Sequence, residues 1–392
     1  MQSIRVAVVG IGNIGSAHAE CIYKGSIRGM TLTAVCDSNA NRLNEFAQTH
    51  KGIETYDNFC DMIENSEIDA AIIAVPHRLH VDFAERVLEK GRHVLVEKPI
   101  DITVSKAISL NKAAEKSDKV FGIMLNQRIN PLFVKARELV KSGQLGELKS
   151  TTWIVTNWFR TQSYYNSGDW RATWAGEGGG VLLNQAPHNL DIWQWICGMP
   201  DSVTAFCETA KYHNIEVEDD AKIFTRYKNG ATGVFITSTG EYPGTNRLEI
   251  SGDKGKIVLE NGTLKWWKLS IPVSEICKTS QESFACIPYE FFEFKQESED
   301  TAHMGILQNF ADAVLHGTKL IAPGTDGINE LMLSNAAYMS QWKNNEEISL
   351  PLDVAEFDLL ISEKIKKSKY IRRDSDKISY GAYSERWKVK WE

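Results

Sequence analysis

The junction over residues 4–15 restricts this chain most. There the apolar run Ile4-Arg5-Val6-Ala7-Val8-Val9 passes into Gly10-Ile11-Gly12-Asn13-Ile14-Gly15 and then into Ser16-Ala17-His18-Ala19-Glu20, which reads as helix. A strand that stops at glycine and restarts as a helix needs a tight turn, and the G-x-G-x-x-G spacing gives each glycine a task. Gly10 allows the turn and Gly12 lets backbone approach a pyrophosphate. Gly15 lets the helix pack close to the strand, while the helix N-terminus offers amides to phosphate oxygens. Bare copies of this motif arise often by chance, so the surrounding pattern decides.

That pattern is a regular alternation. Ile4-Val9, Thr31-Cys36, Ala70-Val75, His93-Val96 and Val120-Met124 read as strands, and Ser16-Tyr23, Ala40-Thr49, Tyr56-Asn65, His80-Lys90 and Thr103-Lys116 as helices. Strand and helix in turn predict βαβ units around a parallel sheet, a Rossmann-type α/β domain over residues 1–125. The second βα unit ends at Asp37, where a carboxylate accepts from both adenosine ribose hydroxyls and repels a 2'-phosphate. NAD is the expected cofactor, and NADP stays open through Ser38, Asn39 and Arg42 should Asp37 turn away.

After Asn126 the rhythm changes. Pro131 to Lys141 reads as one more helix, followed by strands at Thr151-Trp158, Val203-Glu208, Ala221-Tyr227, Ala231-Thr237, Leu248-Ser251, Lys256-Leu259 and Leu264-Lys268. Turns such as Lys228-Asn229-Gly230 and Asn261-Gly262 join them as hairpins. An α+β domain with a large, mostly antiparallel open sheet is expected over 126–350, with helices at Gly305-Leu315 and Asn329-Gln341, for substrate binding and oligomerisation. The tail, 351–392, is charged and aromatic (Tyr370, Tyr380, Tyr383, Trp387, Trp391) and has no functional reading.

A length of 392 residues fits two domains, and 43% hydrophobic with 24% charged residues fits a globular protein. The net charge of -7, with no dense Lys/Arg block, gives no footprint for nucleic acid or an anionic membrane. No apolar stretch approaches the roughly 20 residues of a membrane span, and no signal peptide precedes the first strand, so a cytoplasmic protein is expected. Seven scattered cysteines (Cys21, Cys36, Cys60, Cys197, Cys207, Cys277, Cys286) lack a C-x-x-C pair and read as free thiols. His77 and His80 have no evident carboxylate partner, so no metal site is expected.

The segment Val94-Leu95-Val96-Glu97-Lys98-Pro99 puts a lysine at the C-terminal end of a predicted parallel strand, the edge where ligands of such sheets bind. Taken with the glycine motif, Ala74-Val75-Pro76 with His80, Glu97-Lys98-Pro99, Asn126-x-Arg128 with Pro131, Gly178-Gly179-Gly180 leading to His188, and Pro323-Gly324-x-Asp326-Gly327 occur in order. In this the chain resembles the glucose-fructose oxidoreductase / inositol dehydrogenase (Gfo/Idh/MocA) family. The resemblance implies a nicotinamide-dependent oxidoreductase acting on a secondary hydroxyl of a sugar, glycoside or cyclitol. It extends the cofactor site over Gly10, Gly12, Asn13, Ile14, Gly15, Asp37, Ser38, Arg42, Pro76, His80, Glu97 and Lys98. It also implies that Lys98 contacts the reacting hydroxyl and that a D-x-x-x-H pair completes the polar site.

Here the pair reads Asn184-Gln185-Ala186-Pro187-His188, so His188 carries over and the aspartate does not. Asparagine exchanges hydrogen bonds but does not titrate, which leaves proton transfer to His188, Lys98 or water. Asn184 shares a helix face with His188, or caps a helix that Pro187 starts; Asp191 reads as a structural partner. Gly176-Glu177-Gly178-Gly179-Gly180 either brings backbone close to substrate or permits a bend.

Between Trp158 and Trp174, aromatics alternate with hydrogen-bonding side chains, which suits a carbohydrate. The substrate candidates are Lys98, Arg128, Arg160, Tyr164, Tyr165, Trp170, Arg171, Asn184 and His188. Arg160 and Arg171 leave open a carboxylate or phosphate on the substrate, and Arg128 is equally a candidate for structural pairing. Two further readings accompany the dehydrogenase: an NAD-dependent glycoside-cleaving enzyme working by transient oxidation and elimination, and a non-catalytic dinucleotide-binding protein. A homodimer or homotetramer is expected, with the broad sheet face as its contact.

Overall fold

The computed structural model describes residues 3–168, 170–296 and 302–369. The chain divides into two compact units, one of residues 1–129, 176–178 and 301–331, the other of 130–175, 179–300 and 332–392. The chain thus re-enters its first unit twice, which no local pattern announces.

In the first unit the elements run β1 (Ile4–Val9), α1 (Asn13–Tyr23), β2 (Met30–Cys36), α2 (Ala40–Thr49), β3 (Glu54–Tyr56), α3 (Phe59–Asn65), β4 (Ala70–Ile73), α4 (His80–Glu89), β5 (His93–Val96), α5 (Val104–Glu115) and β6 (Phe121–Ile123). The strands are parallel, in the order β3-β2-β1-β4-β5-β6. Central strands covered on both faces need continuous apolar runs, and Val6, Ala7 and Val8 of β1, with every residue of β4, are fully buried. The order reverses between β1 and β4, and ligands of open α/β sheets bind beyond the carboxyl ends at that switch point.

Two boundaries depart from expectation for local reasons. Helix α1 starts at Asn13 rather than Ser16, because the glycine turn closes within two residues and Gly12 is already the helix cap. Helix α3 starts at Phe59 rather than Tyr56, because the Asn58 side chain caps it, accepting from the amides of Cys60 and Asp61 at 2.7 and 3.3 Å. Tyr56 instead ends the short edge strand β3, which the sequence reading lacked.

The chain continues through α6 (Pro131–Lys141), β7 (Leu148–Val155), α7 (Gln162–Tyr165), α8 (Pro187–Cys197), β8 (Ser202–Thr209), β9 (Glu218–Arg226), β10 (Thr232–Ser238), β11 (Asn246–Gly252), β12 (Gly255–Glu260), β13 (Thr263–Leu269), α9 (Val273–Thr279), β14 (Tyr289–Lys295), α10 (Ala302–His316), α11 (Gly327–Trp342), β15 (Ile348–Ser349) and α12 (Val354–Lys367). Helix α10 and the first turn of α11 count with the first unit. The second unit carries a nine-stranded sheet ordered β14-β13-β12-β11-β7-β10-β9-β8-β15, antiparallel except where β7 and β10 pair in parallel.

Alternate residues of β7 face inward, and Trp153 packs against Phe133 of α6 and Phe235 of β10, with ring centroids 5.8 and 6.1 Å apart. Helix α8 is locked to the same face by Trp193, whose indole N–H donates to Thr151 Oγ1 at 3.0 Å and whose ring lies 5.5 Å from Phe235. This packing fixes the N-terminus of α8, where His188 stands.

Part of the segment 351–392 is ordered secondary structure. Its first part is helix α12, capped by Asp353 accepting from the Glu356 amide at 3.0 Å, with Phe357 and Ile361 buried and lysines in the last turn. The aromatic residues from Tyr370 onward lie outside the described residues. Among the described residues no helix is long and apolar enough to cross a membrane.

Candidate active site

The turn after β1 is shaped for a close ligand. Gly10 has φ +86°, and a Cβ there would lie 2.5 Å from the Ala74 carbonyl oxygen; on Gly15 it would lie 1.8 Å from the Gly10 carbonyl oxygen. A Cβ on Gly12 would meet nothing within 4 Å, so the backbone faces open space where a phosphate would lie. Asn13 and Ile14 form the first turn of α1. Asp37, buried beyond β2, accepts from the Ile11 amide at 3.0 Å and the Asn39 amide at 2.8 Å, with Arg42 Nη1 at 3.4 Å. The carboxylate is therefore pinned beside the glycine turn and does not turn away. Asn39 is committed as the α2 cap, and Ser38 is exposed. These residues fit a dinucleotide that carries a free 2'-hydroxyl.

Along the same carboxyl edge, Pro76 follows β4 and Glu97-Lys98 follows β5. The Lys98–Pro99 peptide is cis and Lys98 is half-buried. Glu97 is buried and accepts from His18 Nε2 at 2.7 Å, and His303 of α10 lies 5.7 Å from the His18 ring. Burial pushes the Glu97 carboxyl up, yet the His18 hydrogen bond and the charges of His18, His303 and Lys98 outweigh it and hold it at about 2. Burial lowers His303 to about 4.

His80, expected to line the cofactor, does different work. Its Nδ1 and Nε2 lie 2.7 Å from the carbonyl oxygens of Pro99 and Val75, and the ring is 1% exposed. Burial lowers the imidazole's pKa, so the neutral ring donates to one of these two carbonyls, at the ends of β4 and β5. Arg128, expected at the substrate, is likewise buried, and its Nη1 contacts Asp326 at 2.5 Å and the Ile321 carbonyl at 3.4 Å. Structural pairing, the alternative reading, describes it.

In the second unit Pro187 occupies the first turn of α8 and Ala186 is the cap. Asn184 therefore lies ahead of the helix, neither on its face nor capping it; its amide donates to the Gly180 carbonyl at 2.9 Å. His188 is half-exposed on the first turn, while Asp191 is buried and accepts from Gln194. The preceding turn is held by Glu218, which the sequence reading missed. This buried carboxylate accepts from the amides of Gly180 and Leu182, both at 2.9 Å, and from the Tyr338 hydroxyl at 2.8 Å. A Cβ on Gly180 would lie 1.9 Å from the Glu218 carbonyl oxygen, so the glycine there permits the close approach. Burial pushes Glu218 up to about 7 against the pull of its three donors. One signal was available: Glu218-Asp219-Asp220, three acids inside a strand pattern, is a rare run unless each is a fixed acceptor.

Tyr164 and Tyr165, adjacent on α7, part company. Tyr165 is 1% exposed, its hydroxyl paired with Thr239 Oγ1 at 2.7 Å and its ring beside His213, so it is a core residue. Tyr164 is half-exposed, and its hydroxyl oxygen receives Arg171 Nη1 at 2.8 Å, with the amide nitrogens of Gln185 and Asn184 at 3.2 and 3.5 Å. Arg160, Arg171 and Trp170 gather around it.

The Glu97 pair sets an acid limit. A carboxyl whose folded pKa lies below its unfolded value stabilises fully above about pH 5 and loses that contribution as pH falls toward 2. Wild type is expected to exceed Glu97→Gln by about 3 kcal/mol in urea unfolding at pH 7, with the gap narrowing by roughly half as pH falls to 3. A gap unchanged over that range would contradict the ionised, His18-bonded carboxylate.

Comparison with known proteins agrees with this geometry. Residues 4–125 match the oxidoreductase family with NAD-binding Rossmann fold, and residues 133–258 match the GFO/IDH/MocA C-terminal domain. The chain is 24% identical over 345 residues to myo-inositol 2-dehydrogenase of Thermotoga maritima, covering 86% of this chain and 96% of that protein. It is 25% identical over 355 residues to scyllo-inositol 2-dehydrogenase (NAD(+)) of Bacillus subtilis, covering 89% and 97%. The WlbA dehydrogenase from Bordetella pertussis, solved in complex with NADH and UDP-GlcNAcA, superposes with a TM-score of 0.75 at 25% identity, over 90% of this chain and 100% of that one. With the glycine turn, the pinned Asp37 and the strand-end lysine in place, the chain belongs to the Gfo/Idh/MocA family of NAD-binding oxidoreductases.

Proposed function

We propose that this protein is an NAD(H)-dependent dehydrogenase that moves a hydride between the nicotinamide and a secondary hydroxyl of a sugar, glycoside or cyclitol. The observation that carries the reading is Lys98 at the carboxyl end of β5, on the sheet edge that also presents the Gly10–Gly15 turn and Asp37. Relatives named as inositol 2-dehydrogenases, and a relative solved with NADH and UDP-GlcNAcA, support it. When bound, NAD supplies the hydride acceptor. Gly12 and the first turn of α1 hold the pyrophosphate, and Asp37 holds the ribose hydroxyls. Lys98 donates to the reacting oxygen and stabilises the charge it develops. His188 takes the proton, and Asn184, which does not titrate, orients a hydroxyl.

The test is a panel of monosaccharides, glycosides and inositols, followed for NADH and for released aglycone together. NADH should accumulate with at least one substrate, and Lys98→Ala should lower that turnover by about a hundredfold or more. A loss under about tenfold would remove Lys98 from the chemistry, and aglycone release without NADH would favour elimination.

The reading includes a cytoplasmic homodimer or homotetramer. Phe206 of β8 and Phe224 of β9 are 44% and 45% exposed and meet edge to face, 6.3 Å between centroids, an apolar patch suited to a second copy. Sedimentation should give twice or four times the chain mass; monomer alone at micromolar concentration would contradict it.

A further inference from the structure

The second unit holds two arginines against aromatic rings. The Arg160 guanidinium carbon lies 5.8 Å from the Trp158 ring centroid and 5.1 Å from that of Tyr164. That of Arg171 lies 4.6 Å from Tyr164 and 4.5 Å from Trp170. Tyr164 links both cations to the polar turn, since its hydroxyl oxygen also receives the Gln185 and Asn184 amides. Stacking fixes the plane of a guanidinium and leaves its N–H edge outward, so little freedom is lost when that edge binds.

Arg160 is the informative one. Its Nη1 donates to the carbonyls of Trp158 and Phe159 at 3.3 and 2.9 Å. Among the described residues its Nε–Nη2 edge makes no hydrogen bond and no carboxylate pairs with it. That edge grips a carboxylate or phosphate side-on, through two parallel N–H···O bonds. A neutral polyol fills that edge less well, because its hydroxyl oxygens accept without the opposite charge and the paired oxygens that make the fork bidentate. A half-buried cation held on rings, with its fork turned away from protein acceptors, is the arrangement an oxyanion completes.

We propose that the substrate carries an oxyanion, a carboxylate or a phosphate, bound by Arg160 with Arg171 beside it. The ring compound is then a sugar acid or sugar phosphate rather than a neutral polyol. This rests on the dehydrogenase reading for the reaction, but the binding claim stands or falls by itself.

The test is calorimetric titration of the NADH-loaded protein with D-glucuronate, D-glucose 6-phosphate and D-glucose as probes, alongside the corresponding galactose series. At least one anion should bind about tenfold or more tightly than its neutral counterpart, the scale of one charge-assisted contact. The two anions distinguish carboxylate from phosphate. Arg160→Gln should weaken the anion at least about tenfold more than the neutral sugar, and Arg160→Lys, which keeps the charge without the fork, should restore only part of the difference. Equal binding of anionic and neutral probes, or equal losses in Arg160→Gln, would overturn the inference. Assaying NADH formation on the same probes separates the two claims. Anion-selective binding with no redox turnover would overturn the dehydrogenase and keep the anion site, whereas turnover of neutral sugars alone would do the reverse.

Discussion

Helix α1 lies so close to the end of β1 that a side chain on Gly15 would occupy the place of the Gly10 carbonyl oxygen. The rest of the first unit is arranged around that approach. It sets the first-turn amides of α1 at the carboxyl edge of the sheet, beside the switch point where strand order reverses. Asp37 reaches back to the Ile11 amide and so ties that carboxylate to the same turn. His80 is buried between the Val75 and Pro99 carbonyls and donates to one of them, beside the segment that carries Lys98.

Two buried carboxylates, Glu97 and the Glu218 that the sequence did not single out, show how burial and donors trade off. Glu97 meets an imidazole and further positive charge, and these outweigh its burial and keep it ionised. Glu218 meets only neutral donors, and burial carries it upward even though three of them converge on it. The first fixes charge behind the strand-end lysine; the second shapes the backbone turn from which Asn184 and His188 follow. Neither needs to touch a ligand to matter, since each holds the segment that does.

What the sequence disclosed followed from spacing. The glycine turn, Asp37, the strand-end lysine and the alternation of the second sheet are local patterns, and the structure carries them all. Helix α12 and strand β14 went unread although each carried a local signal: Asp353 with Glu356 is a capping pair, and Tyr289-Glu-Phe-Phe-Glu-Phe-Lys has the period of a strand. What spacing could not disclose were partners far along the chain. Arg128 finds Asp326, and Glu218 finds Gly180 and Tyr338, pairings that follow from topology. Tyr164 and Tyr165 looked interchangeable because one helical step, invisible in composition, turns one toward solvent and the other into the core.

The central claim is that the strand-end lysine and the nucleotide share one sheet edge, with the redox carbon within reach of the ammonium. A crystal structure of the protein with NADH tests this most directly. The account predicts the adenosine ribose on Asp37, the pyrophosphate over Gly12 and the nicotinamide beside Lys98 Nζ. A nicotinamide bound elsewhere, with the Lys98 side chain extended into bulk water, would contradict it.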